Sequence, residues 1–244
     1  MARRRIHPPS HILGTEESEP AHIPLDRTRI IQTALQLLNE IGLRDLSMRK
    51  IADRLQVKTA SLYYHVKDKD ELLQWLGDKI SENMIEPDPS LPWEEQIVQW
   101  CGNFRKLLHS HRDAVEIFNS ALALGYGRLT QIEKLFQLFV SAGFQDSQIP
   151  WMAAMLKNYV LGFVAEEGQL VDLAGKGDTA VEELGEQYSQ FHRHLPEEQF
   201  PNMIRLAPYT TSTDWKQEFQ FGLGVIIDGF SLKLSSGKTN RGDP

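Results

Sequence analysis

Residues 47–76 read SMRKIADRLQVKTASLYYHVKDKDELLQWL, and the spacing within this stretch decides how the rest of the chain is organised. Ser47 is an N-capping residue type, and Met48, Ile51, Ala52 and Leu55 recur behind it at helical spacing, which predicts a short helix over 47–56. Val57 falls in a tight turn. Thr59 is placed to cap a second helix with Ala60, Leu62 and Val66 inward, leaving Lys58, Thr59, Ser61, Tyr63, Tyr64, His65 and Lys69 for the outer face. A helix, a short turn and a second helix carrying hydroxyls, aromatics and cations have the size and chemistry to enter a DNA major groove. The bland alternative is an amphipathic helical hairpin with a solvated polar face.

The residues around the turn weigh against the bland alternative. S-x-R-K-I-A-x-x-L-x-V-x-x-x-x-L-Y-Y-H-V-K-x-K-x-x-L-L resembles the DNA-binding segment of TetR-family regulators, in particular the tetracycline-repressor branch, with the run from Leu62 to Lys69 the most specific part. The fold this implies is all-α: a three-helix head with a helix-turn-helix, joined to a larger helical body.

Composition agrees with an ordinary globular protein: 244 residues, 41% hydrophobic and 24% charged. The single cysteine, Cys101, excludes an internal disulfide and reads as a small buried apolar residue, in keeping with a reducing cytoplasm. No run approaches the roughly 20 apolar residues of a membrane span, and the N-terminus lacks the apolar core of a signal peptide, so a cytoplasmic protein is expected. The net charge of −7 alone argues against nucleic acid, but its distribution argues the other way. Residues 44–69 hold seven Lys and Arg against three acids, whereas 81–244 hold 13 against 22. A basic head can meet phosphates while an acidic body stays clear of them.

In chain order, 1–25 has a disordered composition with Arg3-Arg4-Arg5, either a minor-groove arm or a solvated charge run. Residues 26–86 form the predicted head and its connecting helix: Asp26 caps a first helix, Gly42 ends it, and a fourth helix spans 68–85 before Pro87, Pro89 and Pro92. Residues 93–234 form the predicted effector and dimerisation body, with apolar stripes through Trp100 and Phe104, through Phe118 and Leu122, and through Leu135 and Phe139. A longer helix begins at Pro150, one helix is expected over 179–191, and a last helix runs over 214–234, leaving 235–244 as a tail.

The resemblance continues through Ser110-His111-Arg112-Asp113, Leu161-Gly162-x-Val164-x-Glu166 and Phe221-Gly222-Leu223-x-x-Ile226-Ile227-x-Gly229. It implies a homodimer through a four-helix bundle, for which glycines among large apolar residues suit close packing, although the same residues also suit an intrachain core. It further implies that Arg49 reads a base, that Thr59, Ala60 and Ser61 open the recognition helix beside Lys58, that Tyr63, Tyr64 and His65 contact phosphates and bases, and that Lys69 contacts phosphate. Thr59-Ala60 replaces the Gln-Pro of that branch, so a different operator is expected. The branch binds its drug as a magnesium chelate; Phe118, Ala121 and Glu166 stand at the positions that hold the metal and its water, and a phenyl ring cannot ligate a hard cation. No metal or other cofactor is expected. The reading gives an apolar or aromatic effector in a pocket of Trp100, Phe104, Phe118, Ala121, Leu122, Trp151, Met155 and Asn158, with Glu166 as polar anchor; plain core filling by the same aromatics stays open.

Catalytic patterns are weak. Gly125-Tyr-Gly127 and Gly222-Leu-Gly224 complete no phosphate-loop motif, and no Cys, His and Asp set has zinc spacing. Three classes remain: a ligand-responsive operator-binding regulator, repressor or activator; a ligand carrier with a vestigial head; and a small-molecule enzyme, disfavoured by the missing constellation. The intact Arg49, Tyr63, His65 and Lys69 favour the first, acting as a repressor released from a palindromic operator.

Overall fold

A computed structural model describes residues 25–177, 179–210 and 214–239, with side chains through Ser236. The Arg3-Arg4-Arg5 arm lies outside these residues. All regular elements among the described residues are α-helices: α1 Arg27–Asp45, α2 Met48–Leu55, α3 Thr59–Tyr63, α4 Lys69–Ser81, α5 Trp93–His109, α6 Ala114–Ser120, α7 Tyr126–Ala142, α8 Ile149–Lys176, α9 Val181–Arg193, α10 Pro201–Thr210 and α11 Trp215–Thr239.

The head forms where its local signals agree. The Asp26 side chain accepts from the Arg29 N–H, and Gly42 breaks the helical path of α1 at φ 78° and ψ 167°, a region open to glycine. Ser47 caps α2, and Gln56 ends it in the left-handed region. The Val57 N–H reaches back to the Ala52 carbonyl, the closure that lets two helices meet in a tight turn. Ile30, Leu38, Ile51, Leu62, Leu72 and Leu76 then share a fully buried core. Thr59 does not cap α3 as its residue type suggests: it is the first helical residue, and Lys58 precedes it with no side-chain cap bond. Ala60 is exposed instead of inward, because Leu62 and Val66 alone anchor so short a helix.

Three further boundaries differ from the sequence expectation. Helix α4 stops at Ser81 and not at Ile85, since the Asn83 and Met84 N–H groups bond three residues back in tight turns. Two helices, α9 and α10, occupy the stretch where one was expected, and α11 continues to Thr239 into the supposed tail.

In the body, α8 and α11 pack together through aromatic contacts. The Tyr159 ring stacks on Phe219 with centroids 5.3 Å apart, and its hydroxyl donates to the Phe219 carbonyl. Gly222 lies directly under Tyr159, where a Cβ would clash with the phenol, so this glycine serves a close contact inside the chain. Phe219, Leu223, Ile227 and Phe230 are buried within the chain, while Phe221, Val225 and Leu232 of the same helix stay exposed. Under α8, the buried Glu167 carboxylate receives both the Arg105 guanidinium and His109 Nε2, and Arg105 lies over the Phe163 and Phe219 rings.

Candidate DNA interface and effector cavity

At the tip of the head, the two buried anchors Leu62 and Val66 turn the remainder of α3 and its exit outward. Tyr63 is 51% and Tyr64 90% exposed, and Lys58, Ala60 and His65 are exposed beside them, with Thr59 and Ser61 half-buried. Arg49 projects from α2 with a side chain 86% exposed and only a 3.9 Å contact to Asp53. Eight of the nine residues expected at the interface are therefore exposed or half-buried on α2 and around α3, and the ninth, Lys69, is engaged within the head. Its ammonium donates to the Leu43 carbonyl at 3.1 Å, closing the frayed end of α1. Lys69 is half-buried, and this bond ties the start of α4 to α1. Helix α2 is clamped to α1 by a second pair, in which both terminal nitrogens of Arg54 meet the Glu40 carboxylate. That bond holds the Glu40 carboxyl below its ordinary value.

Between head and body, α4 to α8 line a half-open cavity of about 250 Å³. Trp100, Phe104 and Phe118 line it as expected; Trp100 tilts on Phe104 with centroids 5.3 Å apart, and Phe104 meets Phe118 edge-on at 5.4 Å. Five expected wall residues are elsewhere. Leu122 is 72% exposed, beyond the end of α6, and Trp151, Met155, Asn158 and Glu166 are exposed along α8. Periodicity explains the error on α8. Pro150, Ala153, Ala154 and Lys157 face the cavity at a helical repeat, and Trp151, Met155 and Asn158 follow the neighbouring stripe, one residue on and about 100° around the helix. Glu166 is likewise displaced from its neighbour Glu167, which is the buried acid of this helix. Ala121 is buried, but it contributes its carbonyl and not a wall.

That carbonyl belongs to a part of the site the sequence reading missed. Arg128, only 8% exposed, lines the cavity from the first turn of α7. Its guanidinium donates to the Ala121 carbonyl at 2.7 Å and the Phe118 carbonyl at 3.3 Å, and sits 4.8 Å from the centre of the Phe118 ring. Burial pushes its pKa down from the usual guanidinium value, with Asp78 acting against the shift. The Asp78 carboxylate on α4 accepts the Arg128 backbone N–H at 2.9 Å. Gly125 and Gly127 make this possible: a Cβ on either would overlap Asp78. The glycine pair that completes no phosphate loop in the sequence therefore has a steric role, and it was the available signal for this junction. Among the described residues, no group of three or more His, Cys, Asp or Glu is placed to hold a metal, and no helix is long and apolar enough to cross a membrane.

The family model described as bacterial regulatory proteins, tetR family, matches residues 30–76, and that for the tetracyclin repressor-like C-terminal domain matches 86–234. The chain belongs to the TetR family. It is a helix-turn-helix transcriptional regulator and not an enzyme. Among the relatives of this TetR-family chain is an HTH-type transcriptional regulator of Saccharopolyspora erythraea, 29% identical over 210 residues that cover 85% of each chain. The class E tetracycline repressor protein of Escherichia coli is 26% identical, over 86% of this chain and 92% of its own. The apo structure of ActR from Streptomyces coelicolor superposes with a TM-score of 0.78 at 30% identity, covering 89% of this chain and all of that one. The structure of ActR in complex with actinorhodin superposes with a TM-score of 0.74 at 32% identity, covering 84% of this chain and 95% of that one.

Proposed function

We propose that this TetR-family regulator is a repressor that holds a palindromic operator as a homodimer and leaves it when an aromatic small molecule fills the α4–α8 cavity. The observation that carries the reading is the outward surface of α3 and its flanks: with Leu62 in the helix and Val66 after it buried, the segment spends Tyr63, Tyr64, His65 and the exposed Lys58 on solvent, which stability alone does not require. Apolar side chains exposed on α8 and α11, among them Trp151, Phe221, Val225 and Leu232, support a second copy of the chain as dimer partner. The aromatic cavity supports a small-molecule effector, as does the complex of the similar ActR with actinorhodin.

The contacts of α6 supply a route between the two sites. Its C-terminal end carries Phe118 on the cavity wall and Ala121 on Arg128, and the loop before it carries Arg112 and Asp113 on the head. A ligand that displaces Phe118 or Arg128 loads both ends, and it weakens operator binding by as much as it prefers the displaced arrangement. No metal takes part in this proposal, since Phe118 and the Ala121 methyl offer no ligand oxygen and Glu166 is outside the cavity.

The test is selection of bound sequences from a random duplex pool by the full-length protein at fixed salt. Enrichment of a palindrome supports the repressor reading and supplies the operator for effector screening. A folded dimer that enriches nothing moves the assignment to a ligand carrier.

A further inference from the structure

The cavity wall carries an electrostatic bias that its aromatic lining conceals. Its charged members are Arg128 and Lys157, and no carboxylate lines it. Arg128 is buried, yet among the described residues no acid makes an ion pair with its guanidinium; its partners are two carbonyls and the face of a ring. The nearest acid in the network, Asp78, is engaged on the backbone N–H and not on the guanidinium. A buried cation whose nearby carboxylate, Asp78, makes no direct ion pair with it is costly to hold in an apolar wall, and burial pushes this guanidinium's pKa downward although Asp78 opposes the shift. The Trp100 ring lines the same wall, but its indole nitrogen is itself shielded from the cavity space.

Resting on the reading of this cavity as the effector site, we infer that it takes an aromatic anion, a planar ring system bearing a carboxylate or phenolate, with Arg128 as counter-charge and Lys157 as the second positive group of the wall. The rings of Trp100, Phe104, Phe118 and Phe136 hold the planar body. The anion supplies what the protein withholds from Arg128, and it competes with the Ala121 and Phe118 carbonyls for the guanidinium. Binding is thereby tied to the end of α6. Cationic and strongly basic aromatics are excluded by the same two positive charges.

The experiment is calorimetric titration of the full-length protein with 2-naphthoate, 2-naphthamide and 2-naphthylmethylammonium, matched in ring and differing in charge. Naphthoate is expected to bind about tenfold or more tightly than either analogue, the scale of one charge-assisted hydrogen bond. Arg128→Lys keeps the preference and Arg128→Gln removes it. Equal affinities, a preference for the ammonium, or no naphthoate binding overturn the inference, and the wild-type panel decides it even if the Arg128 variants do not fold. Operator release is scored separately in a mobility shift. Charge-selective binding without release sinks the effector reading and leaves the ligand class standing.

Discussion

The Asp113 carboxylate accepts the backbone N–H of Leu43 at 2.6 Å, so the turn that ends α1 in the DNA-reading head is held by the loop that opens α6 in the body. Arg112 reinforces the joint: its backbone N–H donates to the Asn39 side chain, and its guanidinium donates to the Glu40 carbonyl. Asp113 adopts a left-handed φ of 54° to make this contact, and Gly42 opposite it has φ 78°. A strained aspartate facing a glycine in a conformation that side chains rarely adopt marks a junction that tertiary contacts hold in place.

Gly42→Ala tests this junction. A Cβ there would sit 3.0 Å from Asp113 Oδ2 and 3.1 Å from the Arg112 guanidinium, on a backbone that L residues avoid. Urea denaturation is expected to show a loss of about 1–3 kcal/mol, the usual cost of such a conformation. An unchanged midpoint would show that the loop yields freely.

For Arg49→Ala, operator affinity should fall by about 1–3 kcal/mol with relaxed discrimination at one base pair, because Arg49 is free to reach a base edge. Competition with single-base operator variants measures it. Unchanged discrimination removes Arg49 from base reading.

Lys69→Ala is expected to lower the thermal stability of the DNA-free protein, since its ammonium closes α1 on the Leu43 carbonyl. A mobility shift across salt concentrations separates this from a phosphate contact, which would flatten the salt dependence by about one unit. Full stability with a flattened slope would restore the simple phosphate role.

These assignments also show where the sequence was sufficient. Fold class, the head and the outward set on α3 followed from Ser47, Leu62, Val66 and the matched run, because capping and helical periodicity are local and leave a local trace. The bond of Lys69 and the place of Arg128 in the cavity went unread because their partners, the Leu43, Phe118 and Ala121 carbonyls, are backbone groups brought near by the fold. Trp151, Met155 and Asn158 failed for another reason. An amphipathic helix buried on more than one side has several apolar stripes, and sequence alone does not say which faces a cavity.

Acid should loosen the head at the Glu40–Arg54 clamp. Glu40 titrates below its ordinary value of 4.5 because of the bond from Arg54. The clamp's contribution is therefore present above that value and lost as the pH falls through the lowered one. The difference in urea midpoint between wild type and Arg54→Ala should shrink on acidification, and a difference constant with pH would contradict the linkage. Both side chains are solvent-accessible, so the effect is expected to be small.

Cys101 should resist iodoacetamide in the native protein at neutral pH and react once urea exposes it. Burial pushes its thiol far above the ordinary value, so thiolate is scarce. Rapid native labelling, read by mass spectrometry, would mean that α5 opens readily.

Helix α8 carries its two duties on adjacent stripes, with Pro150, Ala153, Ala154 and Lys157 toward the cavity and Trp151, Met155 and Asn158 toward the outside. A substitution on the first stripe alters what the cavity admits without touching the outer surface, and a substitution on the second leaves the cavity as it was. Ligand choice and the choice of what covers α8 can therefore drift independently through point changes on one helix, whereas inserting or deleting a single residue near its start would exchange the two stripes and spoil both at once.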